Sequence, residues 1–265
     1  MKIKIPPYPN FKITEQSFNR DVVSNSVIKS DSEGLSNNLI MITEFKTGER
    51  RVIKARPVKY LNQLFITAFP NPIHLFLSVA IEHFNESERI KEINFPKCGK
   101  KIGDDIFILD IEENGTHECY NRYIKYRASS IIMIVSAIEA YLNHIIPNDF
   151  VYQTIRNNKT VEFNKDAIES SKISFIEKLN DIIPQWLRDD SFWQRNLTEK
   201  ENILKLYENR KNIVHLKTNS QDDFERYFFV IDKMLDLDIS ASINSTIKFM
   251  NLATKNFIEI DEKDI

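Results

Sequence analysis

Cysteine and glycine are scarce: the 265 residues hold only Cys98 and Cys119, and five glycines of which the last is Gly115. Neither cysteine belongs to a Cys-x-x-Cys pair, and a single histidine, His117, stands near either of them. Two such thiols cannot build a tetrahedral zinc site. Free thiols in a reducing compartment are the simpler reading, with a single Cys98–Cys119 disulfide as the alternative. No sign of charge dominates either. The 36 Lys and Arg against 38 Asp and Glu give a formal net charge of -2, which argues against a broad basic surface for duplex DNA and leaves room for a local basic patch. Internal repeats and low-complexity tracts are lacking. Near the start, Pro6, Pro7 and Pro9 interrupt the chain and no apolar run reaches signal-peptide length. The most apolar stretch, 131–135, continues into Ser136, Glu139 and Asn143, which is too polar for a bilayer span and suits a buried core helix. These absences lead to the expectation of a cytoplasmic protein with no membrane association. What is abundant is core material: 42% of residues are hydrophobic and 11% aromatic, enough for one large domain or two modest ones.

Up to about residue 115 the pattern is mixed and strand-leaning. The runs LIMIT (39–43) and RVIKA (51–55), joined through Lys46-Thr47-Gly48-Glu49, predict a hairpin with a glycine-containing turn. DIFILDIE (105–112), closed by Asn114-Gly115, predicts a further strand. Between them, Pro72 followed by Leu75, Phe76, Val79, Ala80, His83 and Phe84 has helical spacing with proline near the start. Residues 24–38 are rich in Ser, Asn and Asp and predict a loop.

Beyond Gly115 the character turns helical. Residues 118–146 hold no Gly or Pro, and Pro147 ends them. A second helix is expected over 172–183, stopped or kinked at Pro184. Thr198 and Glu201 have capping-box spacing, opening a helix that runs to about His215. Ser220 can cap a helix with Phe224, Tyr227, Phe228, Ile231, Met234 and Leu235 on one stripe, and its aromatic part, Phe224, Tyr227 and Phe228, is most simply core. Ile243, Ile247, Met250 and Phe257 suit a last helix. Four or five amphipathic helices on short connections make a bundle. The expected fold is α+β: a small mixed α/β module over 1–115 and an all-α bundle over 116–265.

Chemistry is sparse except on one helix. Its face Ile203, Tyr207, Arg210 and Val214 is an apolar stripe interrupted by Arg210, where a charge is costly unless paired or at a cleft. His215 follows five residues later, about 140° around a continuous helix. The helix over 118–146 carries a polar stripe of Ser129, Ser136, Glu139 and Asn143, which needs partners. A Glu139–Arg210 pair would satisfy both stripes and leave His215 free.

The segment SAIEAYLNHII (136–146), followed by NRKNIVH (209–215), resembles the HEPN superfamily over roughly residues 118–237. Glu139 and Asn143 match the family's acidic residue and asparagine on an early helix; Arg210 and His215 match its Arg-x4-6-His motif on a late one. Lys211 departs from the pattern, standing where the family most often has Asn or another small polar group, with Asn212 one place later. The resemblance implies a helical bundle, a homodimer and a metal-independent endoribonuclease without cofactors. Arg210 and His215 would be catalytic, supported by Glu139, Asn143, Asn212 and Lys211. It also implies RNA as substrate, a toxin or phage-defence setting, and an antitoxin or nucleotidyltransferase as possible partner, with the N-terminal module setting target choice or regulation. The residues suit this chemistry: an imidazole can move protons near neutral pH, and a guanidinium matches phosphate oxygens.

Blander roles stand beside these. Arg210 and His215 could be a helix-end pair favoured by the helix dipole, and the bundle a non-catalytic dimeric binding or regulatory module. His74, His83, His117 and His144 form no ligand-like pattern. Lys205, Lys211 and Lys217 suit either an RNA backbone or a solvated face. Trp186 and Trp193 are assigned to packing.

Overall fold

The computed structural model describes residues 3–4, 39–44, 50–68, 70–94, 100–109, 116–170, 172–215 and 223–260. It is a mixed, predominantly helical α+β structure with small sheets, and it forms two compact units, Lys4–Asn71 and the remainder.

The smaller unit is an antiparallel sheet in the order β1 (Leu39–Glu44), β2 (Arg50–Tyr60) and β3 (Gln63–Ala68). Leu39 pairs with Ala55 and Glu44 with Arg50, the hairpin expected from the sequence. Its turn, and the loop expected over 24–38, lie outside the described residues. The third strand was not anticipated. It returns through Leu61 and Asn62, with φ of 46° and 61°, a mirror-image turn that Asn tolerates and that Leu rarely announces.

In the larger unit, α1 (Pro72–Asn94) packs along α2 (Thr116–Ile145). Read from sequence as part of the N-terminal module, α1 belongs by its packing with the downstream helices. Ile73, Leu77, Ala80 and Ile81 repeat at helical spacing and are buried. Ser130 Oγ donates to the Ala80 carbonyl at 2.8 Å. Of the strand expected over 105–112, only Phe107–Ile108 is found, paired with Lys100–Lys101; residues 110–115 lie outside the described residues. By length and composition α2 is apolar enough to cross a membrane, against the expectation from its polar residues, and 44% of that apolar window is buried within the protein. Cys119 is a free, half-buried thiol.

After Pro147 comes an unanticipated hairpin, β4 (Tyr152–Arg156) and β5 (Lys159–Phe163). Asn157 and Asn158 turn it with φ of 52° and 58°. A short helix α3 (Lys165–Glu169) follows, capped by Asn164. The helix expected over 172–183 is segmented into α4 (Phe175–Glu177), a π-helical turn (Lys178–Ile182) and α5 (Ile183–Leu187). Pro184 does not stop it. Proline cannot donate the α-type bond back to residue 180, and the wider turn just before it absorbs that loss. The chain continues through α6 (Phe192–Arg195), α7 (Leu197–Val214), α8 (Asp223–Leu235) and α9 (Ile239–Ala253).

Two sequence expectations fail in these last helices. The Thr198 capping box does not form, because α7 already begins at Leu197 with Asn196 as its cap residue, and no cap side chain bonds there. Buried Glu199 instead pairs with Lys248 of α9. The aromatic stripe is not core either: Tyr227 and Phe228 are 46% and 60% exposed. Among the described side chains of α8, burial falls on Val230, Ile231 and Met234. Ser220 lies outside the described residues. The last helix forms as expected, with Asp238 accepting from the Ala241 amide.

Arg127 of α2 ties this unit together. Its guanidinium is almost fully buried and donates to the carbonyls of Met234, Leu235 and Leu237 at 3.0, 3.3 and 2.6 Å, and it lies 3.5 Å from Glu88 of α1. Replacing Arg127 with Ala is expected to lower stability by about 3 kcal/mol, since the carbonyls of Met234, Leu235 and Leu237 lose their buried donor. A urea midpoint shift equivalent to less than about 1 kcal/mol would contradict this role.

Candidate functional site

The last turn of α7 carries the residues singled out by the sequence. Arg210 is half-buried, and its Nε is shielded from solvent without a hydrogen-bond partner. Neither its guanidinium nor the His215 imidazole makes a hydrogen bond or ion pair among the described residues. His215 is exposed and stands at the helix C-cap with φ −109° and ψ 38°, its amide donating to Lys211 O at 3.0 Å. The chain therefore leaves α-helical geometry at His215, and the angle expected for a continuous helix does not apply there. Lys211 is exposed and pairs with Glu208 at 3.4 Å, while Asn212 is half-buried. Positive side chains at this end meet the negative pole of the helix.

The expected Glu139–Arg210 pair is not formed. The helix directions explain why. α7 runs antiparallel to α9, tied by Glu199–Lys248 and by Asn202 donating to Ser245 at 2.9 Å. α9 runs parallel to α2: Arg127 meets residues 234–237, and Tyr141 donates to Met250 O. Hence α7 is antiparallel to α2, and Glu199 lies toward the Tyr141 end. Arg210 is eleven residues farther on, about 16 Å of helix rise, toward the opposite end from Glu139.

The polar stripe of α2 finds other partners. Ser129 Oγ meets His83 Nδ1 at 2.7 Å, and Ser136 Oγ donates to Ile132 O at 2.9 Å. Asn143 Oδ1 accepts from Lys178 Nζ at 2.9 Å, and Glu139 faces the same ammonium electrostatically. Lys178 is the residue that sequence reading missed. It is buried on the π-helical turn, and loss of hydration pushes its ammonium below the ordinary lysine range, opposed by Glu139 and Glu169. Its signal in the sequence was faint: a lysine among Ile176, Leu179 and Ile182 interrupts an apolar face much as Arg210 does.

The remaining candidates are structural. Trp193 is buried and its indole donates to Leu179 O at 2.6 Å. Tyr207, one turn before Arg210, stacks on Phe175 with ring centroids 4.2 Å apart. His144 is held below the ordinary histidine range by burial and then by Lys165. Among the described residues, no group of three or more His, Cys, Asp or Glu is placed to hold a metal ion.

The lowered Lys178 pKa has a pH signature. Just below the ordinary value of 10.5 the unfolded chain holds this proton more tightly than the folded one, so stability rises with pH there. Urea unfolding of wild type and Lys178→Met should show wild type gaining on the variant as pH climbs toward 10.5. A constant difference would contradict the burial of a charged Lys178.

No protein-family model, no curated protein and no solved structure matches the chain.

Proposed function

We propose that this protein is a HEPN-type, metal-independent endoribonuclease that acts as a homodimer, with Arg210 and His215 as its catalytic pair. One observation carries the reading. A guanidinium whose Nε is shielded and unpartnered stands one turn from an exposed imidazole at the end of α7. A shielded N–H without an acceptor is costly to keep. A phosphate oxygen is an acceptor that the guanidinium fork fits.

In the proposed chemistry His215 accepts the proton of a ribose 2′-hydroxyl. The 2′-oxygen bonds to phosphorus as the bond from phosphorus to the 5′-oxygen breaks, and an imidazolium returns a proton to that leaving oxygen. Arg210 stabilises the charge that gathers on the phosphoryl oxygens. The products are a 2′,3′-cyclic phosphate and a 5′-hydroxyl. Lys211 adds positive charge beside the pair, and a second protomer would bring a second Arg210–His215 pair to face the first. The exposed aromatic residues of α8, with Phe228 and Phe229 at 60% and 53%, begin at Tyr227, twelve residues after His215, and offer apolar surface for that second copy. A toxin or phage-defence effector is the setting this activity suits.

The second reading is a non-catalytic dimeric module that binds RNA or regulates a partner. It is favoured by the engagement of Asn143 and Glu139 with Lys178 rather than with Arg210.

Purified protein should cleave RNA, and Arg210→Ala and His215→Ala should each lower the rate by about a hundredfold or more. Failure of wild type to cut several RNA classes, or undiminished cutting by both variants, would remove the enzymatic reading. Phe228→Glu should shift the sedimenting species from dimer to monomer; an unchanged dimer would place the subunit contact elsewhere.

A further inference from the structure

The strand β3 of the smaller unit is an open edge. Among the described residues it has β2 on one side and no strand on the other. Leu61 and Asn62 form a two-residue turn with both φ positive, so the closing pair Tyr60–Gln63 exchanges backbone hydrogen bonds. Bonded pairs alternate along an antiparallel ladder, so Val58–Phe65 and Arg56–Thr67 are bonded as well. Leu64 and Ile66 therefore aim their amides and carbonyls away from β2. Pro57 fits this phase, since it faces Ile66 in an unbonded pair where no N–H is needed toward β3. Residues 63–67 are all exposed, with Leu64, Phe65 and Ile66 at 36%, 47% and 37%.

Open edges are ordinarily blunted by charge, proline or a bulge. β3 reads QLFITA and has no charged residue, Pro or Gly, whereas β1, β2, β4 and β5 each carry charge. What such an edge takes is another extended strand. The order of residues in β3 selects a second copy of itself. Set the two copies antiparallel about a twofold axis at Phe65. Leu64 of one copy then exchanges both backbone bonds with Ile66 of the other, and the axis repeats the exchange. Side chains match in kind across it. Phe65 meets its own symmetry mate and Gln63 meets Thr67 on the same face, while Leu64 meets Ile66 on the other, with no like charges opposed.

We propose that β3 is a homotypic pairing edge, through which two chains join antiparallel at Phe65 into one continuous sheet. The inference depends neither on the ribonuclease reading nor on the α8 contact. One strand pair buries less than the roughly 1,200 Å² of a stable interface, so a covalent trap reads it better than sedimentation.

In the full chain carrying Cys98→Ser and Cys119→Ser, single cysteines are introduced by Phe65→Cys, Gln63→Cys or Thr67→Cys and oxidised with glutathione disulfide. Opposed residues on the axis stand about 4.5 Å apart at Cα, within disulfide reach. Gln63 and Thr67 each lie about 13 Å from their own copies, beyond that reach. Phe65→Cys is expected to link to itself about tenfold or more faster than either of the others does, while Gln63→Cys and Thr67→Cys link to each other when mixed. All three positions are exposed, and circular dichroism checks that the variants stay folded. Equal rates of self-linking at all three, the mark of parallel pairing or random collision, would overturn the proposal. So would the absence of a Phe65→Cys link, which leaves the edge to a strand of another protein.

Discussion

The buried guanidinium of Arg127 is the contact on which the arrangement of the helical unit depends. A helix ends with carbonyls that lack intrahelical donors, and a buried end without partners is costly. Arg127 supplies donors to the end of α8 and to the turn that follows, reaching Met234, Leu235 and Leu237 from the middle of α2. It therefore fixes where α8 stops and in which direction α9 leaves. α9 in turn holds α7 through Lys248–Glu199 and Ser245–Asn202. The position of Arg210 and His215 is set at the far end of this chain of contacts, with no direct bond from either side chain to α2.

Which features the sequence reveals follows from how local their causes are. The boundaries of α2 and the pairing of β1 with β2 rest on nearby residues: no Gly or Pro over the helix, Pro147 after it, and β-branched runs on either side of Gly48. The β4–β5 hairpin had a local signal too, since Asn157 and Asn158 both tolerate left-handed backbone. β3 was obscured by Leu61 at positive φ and by Pro57, which faces Ile66 within β2 and weakens its strand pattern. For the candidate site, the sequence marks Arg210 as an interrupted apolar stripe ending at His215. It does not reveal the partner of Glu139. That depends on helix direction and on a π-helical turn that brings Lys178 onto Asn143, both products of long-range packing.

α7 emerges as a helix with two unlike ends. At its N-terminal end Lys200 borders a cleft dominated by Asp181 and Asp190. At its C-terminal end Arg210 and Lys211 stand beside His215, with no buried counter-charge among the described residues. Packing constrains the helix between them through Ile203 and Leu206, both fully buried. This polarity is the physical reason for seeking RNA at the C-terminal end. Lys178 has a separate part: its ammonium bonds to Asn143 and faces Glu139 on α2, while helix direction keeps Arg210 away from both.

The central claim, that Arg210 and His215 serve a 2′-hydroxyl attack on RNA, is tested most directly by atomic substitution in the substrate. Once a cleavage position is mapped on a defined RNA, the same oligonucleotide is made with one 2′-deoxy residue immediately 5′ of the scissile phosphate, and product ends are read by mass spectrometry. The account predicts a 2′,3′-cyclic phosphate and a 5′-hydroxyl from the all-ribose strand, and no cut at that position in the substituted one. Cleavage at the deoxy position, or a 5′-phosphate on the product, would contradict it.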